Sequence, residues 1–217
     1  MQHREFQRAE DKTDLENRDA AGFWKAIALS NDIGKGHREI DASVILELNR
    51  CILGDANPEA AGRFRNAGED VKKLTCIEPP PGSAVREIMH KFEGDMKYKI
   101  KAIPIHSPNS SNRKIHRRWV DSVFELAAWI QHGLVAIHPF CEANGRTSRL
   151  MTNIILRRFG FLPSDVKIEA DNKENYIRAL CQIDEHHNYL LLKDMILKGS
   201  LATLKKEREI RLHKQSE

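Results

Sequence analysis

Residues with mixed chemistry crowd into one short run, His138-Pro139-Phe140-Cys141-Glu142-Ala143-Asn144-Gly145-Arg146-Thr147-Ser148-Arg149. It holds an imidazole, a carboxylate, an amide, a glycine and two guanidinium groups between two apolar stretches. These parts suit a nucleoside triphosphate. The free N–H groups of a helix starting near Asn144 and Gly145, with the positive end of its dipole, make an anion site. Gly145 keeps side-chain bulk away from a ligand approaching the main chain. Arg146 and Arg149, three positions apart, emerge on neighbouring parts of one helix face and can grip phosphate oxygens in pairs. Glu142 is a hard oxygen ligand of the kind that holds Mg²⁺ while the metal bridges two phosphates. His138, with an ordinary pKa of about 6.5, suits proton removal from a hydroxyl at neutral pH.

Two apolar helices must carry this run. Val120, Val123, Phe124, Ala127, Ala128 and Ile130 predict a central buried helix from Trp119 to Leu134, ending near Gly133. Leu150, Met151, Ile154 and Ile155 predict the next, which Gly160 stops. Upstream, a Thr13/Glu16 capping-box pattern opens a helix that ends near Gly34 and Gly36. Ile40, Val44, Ile45, Leu48 and Ile52 line a second helix, ending at Gly54 before Pro58. From Gly62 to Pro81, apolar and polar residues interleave and three prolines close the stretch, which predicts a short hairpin or extended flap. A helix through Val85, Ile88, Met89 and Phe92 follows, and then a surface loop from Lys101 to Arg113. Further helices are expected at Glu174 to Ile183 and from Tyr189 to about Lys206.

Composition bounds the class. The chain has 217 residues, 30% charged and 41% hydrophobic, enough for one compact domain and a small attachment. A net charge of +4, scattered along the chain, is too weak to argue for nucleic-acid binding, although a basic phosphate pocket is compatible with it. Cys51, Cys76, Cys141 and Cys181 form no C-x-x-C pair, and the N-terminus carries no signal-peptide pattern, so a reduced, cytoplasmic setting is the default. No run reaches the ~18 apolar residues of a membrane span, and no membrane partner is expected.

The pattern His-Pro-Phe-x-Glu-Ala-Asn-Gly-Arg-x-x-Arg resembles the Fic family signature, His-x-Phe-x-Asp/Glu-Gly/Ala-Asn-Gly-Arg-x-x-Arg. Gly62-Arg63-Phe64-Arg65 is similar to that family's Gly-Arg-Tyr/Phe-Arg, and Glu78-Pro79-Pro80 to the segment that closes its flap; the likeness runs from about 40 to 198. The resemblance implies an all-α, Fic-like helical bundle with a short β-hairpin flap beside the active-site loop. It implies three parts: an N-terminal helical extension (1–39), the catalytic domain (40–198) and a charged C-terminal helix (199–217).

The implied function is a protein adenylyltransferase. His138 would activate a Ser, Thr or Tyr hydroxyl of a target protein, which attacks the α-phosphorus of Mg-ATP and releases pyrophosphate. Glu142 would hold the Mg²⁺. Asn144 and the backbone from Ala143 to Gly145 would bind the α-phosphate, Arg146 would steady the outgoing phosphates and Arg149 would support the same site, with Thr147 and Ser148 in the same ATP-binding run. Leu74, Thr75 and Cys76 match the flap that pairs with the target by strand addition. Asn175 and Tyr176 fall where the family contacts adenine, although the Asn that often follows by two turns is replaced by Ile183 and Asp184. Close variants would donate UMP, GMP or phosphocholine. A Doc-like protein kinase is the first alternative, and Gly145 opposes it because a Lys takes this place in that branch. A non-catalytic, nucleotide-sensing interaction module is the second, and the intact His138 opposes it.

The family's inhibitory helix, Ser/Thr-x-x-x-Glu-Gly/Asn, has no clean copy. Ser43 with Glu47 lies inside a core helix, and Thr203 with Glu207 lies in the C-terminal one. Inhibition is therefore expected from a separate antitoxin-like partner, or not at all; by analogy a homodimer is possible. Phe140 is read as a hydrophobic anchor, His186 and His187 as solvated, Cys141 as no nucleophile, and the run from Lys205 to Lys214 as a solvated face.

Overall fold

The structure is a computed structural model, which describes residues 2–54, 56–71, 75–106, 112–165 and 170–215. Seven helices make up the bundle among these residues: α1 (Gln2–Lys35), α2 (Ala42–Leu53), α3 (Val85–Ala102), α4 (Arg113–Ile137), α5 (Asn144–Arg158), α6 (Ala170–His186) and α7 (Leu190–Gln215). Local chemistry sets several ends. Asp41 caps α2 by accepting from the N–H groups of Ser43 and Val44, and Gly54 closes it with a positive φ of 31°. Asn112 caps α4 in the same way through Lys114 and Ile115. No Gly or Pro interrupts the chain between Gln2 and Thr13, so α1 extends back beyond the capping box expected to start it.

α4 and α5 pack as the central pair, with α1 along α5 and α2 on the outer side. On α4 the buried positions Trp119, Val123, Leu126, Ala127, Ile130, Leu134 and Ile137 form one helical stripe. They meet Leu150, Met151, Ile154 and Ile155 of α5 in a single core with Ile45, Leu48 and Ile52 of α2. By length and composition alone α4 could cross a membrane, contrary to the apolar-run reading, but half of that window is buried inside the bundle. Gly133 lets α3 come close: a Cβ there would lie 2.4 Å from the Phe92 ring, which stacks on Trp129 at 4.8 Å.

Two further features depart from the sequence reading. The flap segment contains no strand among its described residues, only an isolated bridge at Ile77, and Leu74 lies outside the described residues. Pro79, Pro80 and Pro81 remove three consecutive N–H donors, so a ladder cannot continue through them. Cys76 is joined to Cys181 of α6 by a disulfide, with Cα atoms 5.6 Å apart, whereas Cys51 and Cys141 are free thiols. Residues 105 apart in sequence meet only through the fold.

α1 crosses α2 where Gly22 faces backbone: a Cβ at Gly22 would lie 2.6 Å from the carbonyl oxygen of Ile52 and 2.7 Å from that of Cys51. Backbone cannot swing aside as a side chain can. Gly22→Ala is expected to destabilise the fold by about 1–3 kcal/mol despite its better helix propensity, read as a lower urea midpoint with an unchanged slope; an unchanged or raised midpoint would contradict this packing.

Candidate active site

The chemistry-bearing run is the connection between the two central helices. His138 ends α4 in the left-handed region (φ 51°, ψ 58°), and its N–H donates to the Leu134 carbonyl. Ala143 opens α5, also left-handed (φ 64°, ψ 15°). Two left-handed non-glycine residues bracketing one loop cost energy that surrounding contacts must offset. Those contacts are visible. The Asn144 amide spans the loop, accepting from the Phe140 N–H at 2.9 Å and donating to the Phe140 carbonyl at 2.8 Å. Phe140 is fully buried, with Phe64 at 5.6 Å between ring centroids.

Arg65, fully buried, closes the loop from below. Its Nε donates to the His138 carbonyl at 2.7 Å, its Nη2 to the carbonyls of Pro80 and Ile137, and its own N–H to the Pro139 carbonyl at 2.9 Å. Asn49 of α2, also fully buried, donates to the Glu142 carbonyl at 3.1 Å and accepts from the Gly62 N–H at 2.9 Å. Neither Arg65 nor Asn49 carries a sequence signal for this bracing role. Arg65 is legible only as part of a family-like tetrapeptide, and Asn49 is not singled out by the sequence at all.

The His138 ring is half-buried. Its Nδ1 lies 3.3 Å from the Val135 carbonyl, which favours the tautomer with the proton on Nδ1 and a lone pair on Nε2. Burial pulls its pKa below the ordinary value; the Val135 carbonyl opposes this and the Arg65 charge adds to it. A neutral, base-competent imidazole at pH 7 results.

α5 begins without a side-chain cap: Ala143 makes no cap hydrogen bond, and the first intrahelical bond is Thr147 N–H to the Ala143 carbonyl at 2.9 Å. The N–H groups of Asn144, Gly145 and Arg146 precede that bond. Arg149 folds back towards this end, its Nη1 only 3.3 Å from where a Cβ on Gly145 would stand. No described carboxylate pairs with Arg149, and burial lowers its pKa, with nearby Arg146 acting in the same direction. Arg146 itself is held by Asp19 of α1, whose two carboxylate oxygens lie 2.6 and 2.7 Å from Nη1. Glu142 is exposed, and its Oε1 accepts from Asn57 at 2.9 Å.

The remaining expected residues are distributed less evenly. Thr147 and Ser148 are buried, and the Ser148 hydroxyl donates to the Gly145 carbonyl at 3.0 Å, so their side chains face the bundle. Asn144 has its amide engaged within the loop, which leaves its backbone N–H for a ligand. On α6, Asn175 is exposed, but Tyr176 is buried at 7% exposure with its hydroxyl on Gln131. Thr75 is exposed with φ 24°, and Cys76 is tied to α6. Of the two weak inhibitory patterns, Glu47 pairs with Arg38 at 2.7 Å and Glu207 with Arg211 at 3.7 Å. Thr203 lines a cavity of about 270 Å³ that also reaches Arg149 and Phe23.

Comparison with known proteins bears on this loop and its two helices. The Fic/DOC family model matches residues 39–156, more than half of the chain. Protein adenylyltransferase fic-1 of Caenorhabditis elegans is 30% identical over 162 residues, covering 73% of this chain and 28% of that protein. Protein adenylyltransferase Fic of Nematostella vectensis is 31% identical over 172 residues, covering 79% of this chain and 35% of that protein. The chain thus spans about a third or less of the length of these curated relatives. A solved structure of Fic-1 (residues 134–508) from C. elegans superposes with a TM-score of 0.65 at 27% identity, covering 94% of this chain and 53% of that one. The matched stretch contains the His138 loop, and the chain belongs to the Fic/DOC family.

Proposed function

We propose that this chain transfers AMP from Mg-ATP to a Ser, Thr or Tyr hydroxyl of another protein. The carrying observation is the amino end of α5, uncapped by any side chain, with the Arg149 guanidinium folded onto it and paired to no described carboxylate. Such a cation beside free N–H groups, with Arg146 adding a second, is short of negative charge that a polyphosphate supplies. Support also comes from the curated relatives, which are named as protein adenylyltransferases.

In this reading the Nε2 lone pair of His138 takes the proton of the attacking hydroxyl. The hydroxyl oxygen forms a bond to the α-phosphorus while the bond from that phosphorus to the bridging oxygen breaks, and pyrophosphate carries away the electron pair. The N–H groups at the α5 start stabilise charge on the α-phosphate oxygens, and Arg146 and Arg149 hold the departing ones. No cluster of three or more His, Cys, Asp or Glu side chains occurs among the described residues. A single exposed carboxylate, Glu142, therefore fits Mg²⁺ in the manner usual for nucleotide enzymes, in which phosphates and waters fill most of the shell. The metal would supply neutralisation of phosphate charge. A lysine at position 145, as in the kinase branch, would bring a third cation against Arg149, so Gly145 favours AMP transfer.

Purified protein incubated with Mg²⁺ and a candidate target should acquire label from α-³²P ATP and none from γ-³²P ATP, with His138→Ala reducing the α-label rate by roughly 10²–10⁴-fold. Label arriving from the γ position would mean kinase chemistry, and label from neither with intact ATP binding would mean a sensing module.

The pH profile carries a second expectation. Only neutral His138 accepts the proton, and its pKa is lowered, so the rate stays high through neutrality and falls only as pH drops below the ordinary imidazole value of about 6.5. An acid limb centred above that value would contradict the burial of the ring.

A further inference from the structure

A closed polar network lies inside the bundle beneath the α5 amino end, in a region where apolar packing would be expected. Gln131 of α4 is fully buried, as is Ser148 of α5, with Thr152 1% and Tyr176 of α6 7% exposed. The Thr152 hydroxyl lies 2.9 Å from Gln131 Oε1 and 3.0 Å from the Ser148 carbonyl, and Gln131 Nε2 donates to the Tyr176 hydroxyl at 3.1 Å. The same phenol oxygen is within reach of the Arg149 guanidinium and the Ser148 hydroxyl. Gln131 donates to the phenol oxygen and the Ser148 hydroxyl to the Gly145 carbonyl at 3.0 Å, and the phenol oxygen keeps acceptor capacity for Arg149. These groups run from the middle of α4 to the first turn of α5, and the only charged one is Arg149.

Burying so many polar groups is costly unless each is paired and the arrangement serves a purpose. Arg149 needs what this network provides. Its guanidinium stands beside Gly145 with Arg146 close by and no described carboxylate to orient it. Without an acceptor behind it, repulsion from Arg146 and the pull of solvent would swing it away from the helix end.

Resting on the proposed phosphate site, we infer that Tyr176, itself oriented by Gln131, is a positioning residue for Arg149, so that α6 serves the polyphosphate through its buried phenol. Tyr176 then acts through Arg149 and makes no contribution through the nucleoside. Gln131 belongs to the same device, because its amide donates to the phenol oxygen and holds the phenol in place.

Inorganic tripolyphosphate separates the two roles, since it has phosphates and no base. Its affinity and that of ATP are measured by calorimetry for the wild type, Tyr176→Phe, Gln131→Met, Arg149→Lys and the Tyr176→Phe/Arg149→Lys double variant, each first shown to melt in one cooperative transition. Tyr176→Phe should weaken both ligands about tenfold, the loss of one hydrogen bond to a charged group. Gln131→Met should weaken both in the same direction. In the Arg149→Lys background the phenylalanine should cost less than about twofold more, because the partner it served is gone. If Tyr176→Phe weakens ATP but leaves tripolyphosphate unchanged, the phenol serves the nucleoside and the inference falls. It also falls if the variant lowers the melting temperature but changes neither affinity, or if the losses add independently in the double variant. Absence of tripolyphosphate and ATP binding to the wild type would instead strike the phosphate-site reading itself.

Discussion

The geometry of the active-site loop depends on one buried cation. Arg65 reaches from the segment after α2 into the space under the α4–α5 connection and donates to three backbone carbonyls, those of His138, Pro80 and Ile137. Carbonyls at the end of a helix have no intrahelical donor, and in a buried setting each must be paired. By pairing the last carbonyls of α4, Arg65 lets that helix end on a left-handed histidine with no glycine cap. The imidazole is thereby placed at the edge of the core, half-buried, with its pKa lowered. Pro80 is drawn into the same knot, so the proline-rich end of the flap segment is anchored to the loop. Removing this guanidinium would leave three carbonyls and a strained turn without support, which is why the site cannot be viewed as the signature run alone.

The second constraint is the amino end of α5. Helices usually meet their first N–H groups with a Ser, Thr, Asp or Asn cap. Here the N-cap is Ala143, while Asn144, the residue with the right chemistry, is turned inwards to hold Phe140. One polar side chain stabilises the loop, and the helix end is left open to a ligand. The arginines are treated differently from one another: Asp19 takes one amino group of the half-buried Arg146, whereas Arg149 has the neutral Tyr176 phenol beside it. A partly exposed ion pair contributes little, whereas a neutral neighbour leaves the full charge of Arg149 available.

α1 and α6 lie outside the signature but are both coupled to it. α1 brings Asp19 to Arg146, and its Gly22 permits backbone contact with α2. α6 brings Tyr176 close to Arg149 and Cys181 to the flap segment, so one helix is coupled both to the amino end of α5 and to Cys76.

Much of this was legible in the amino-acid order. Period-3.6 apolar stripes marked α2, α4 and α5, and the spacing from His138 to Arg149 marked the chemistry, because helix periodicity and local turn chemistry act over a few residues; glycines marked the ends of α2 and α5, but α4 runs past Gly133 to Ile137, since Gly133 serves there as the contact for Phe92 and not as a stop. What the order could not disclose were interactions closed across long separations. These include Arg65 with the His138 carbonyl, Asn49 with Gly62 and Glu142, Asp19 with Arg146, Gln131 with Tyr176, and Cys76 with Cys181. Each joins a residue that the order did single out to one that is unremarkable where it stands and becomes meaningful only when packing brings the two together. The inward turn of Asn144, Thr147 and Ser148 belongs with these, since sequence says that a polar side chain is present and only the packed neighbours decide which way it faces.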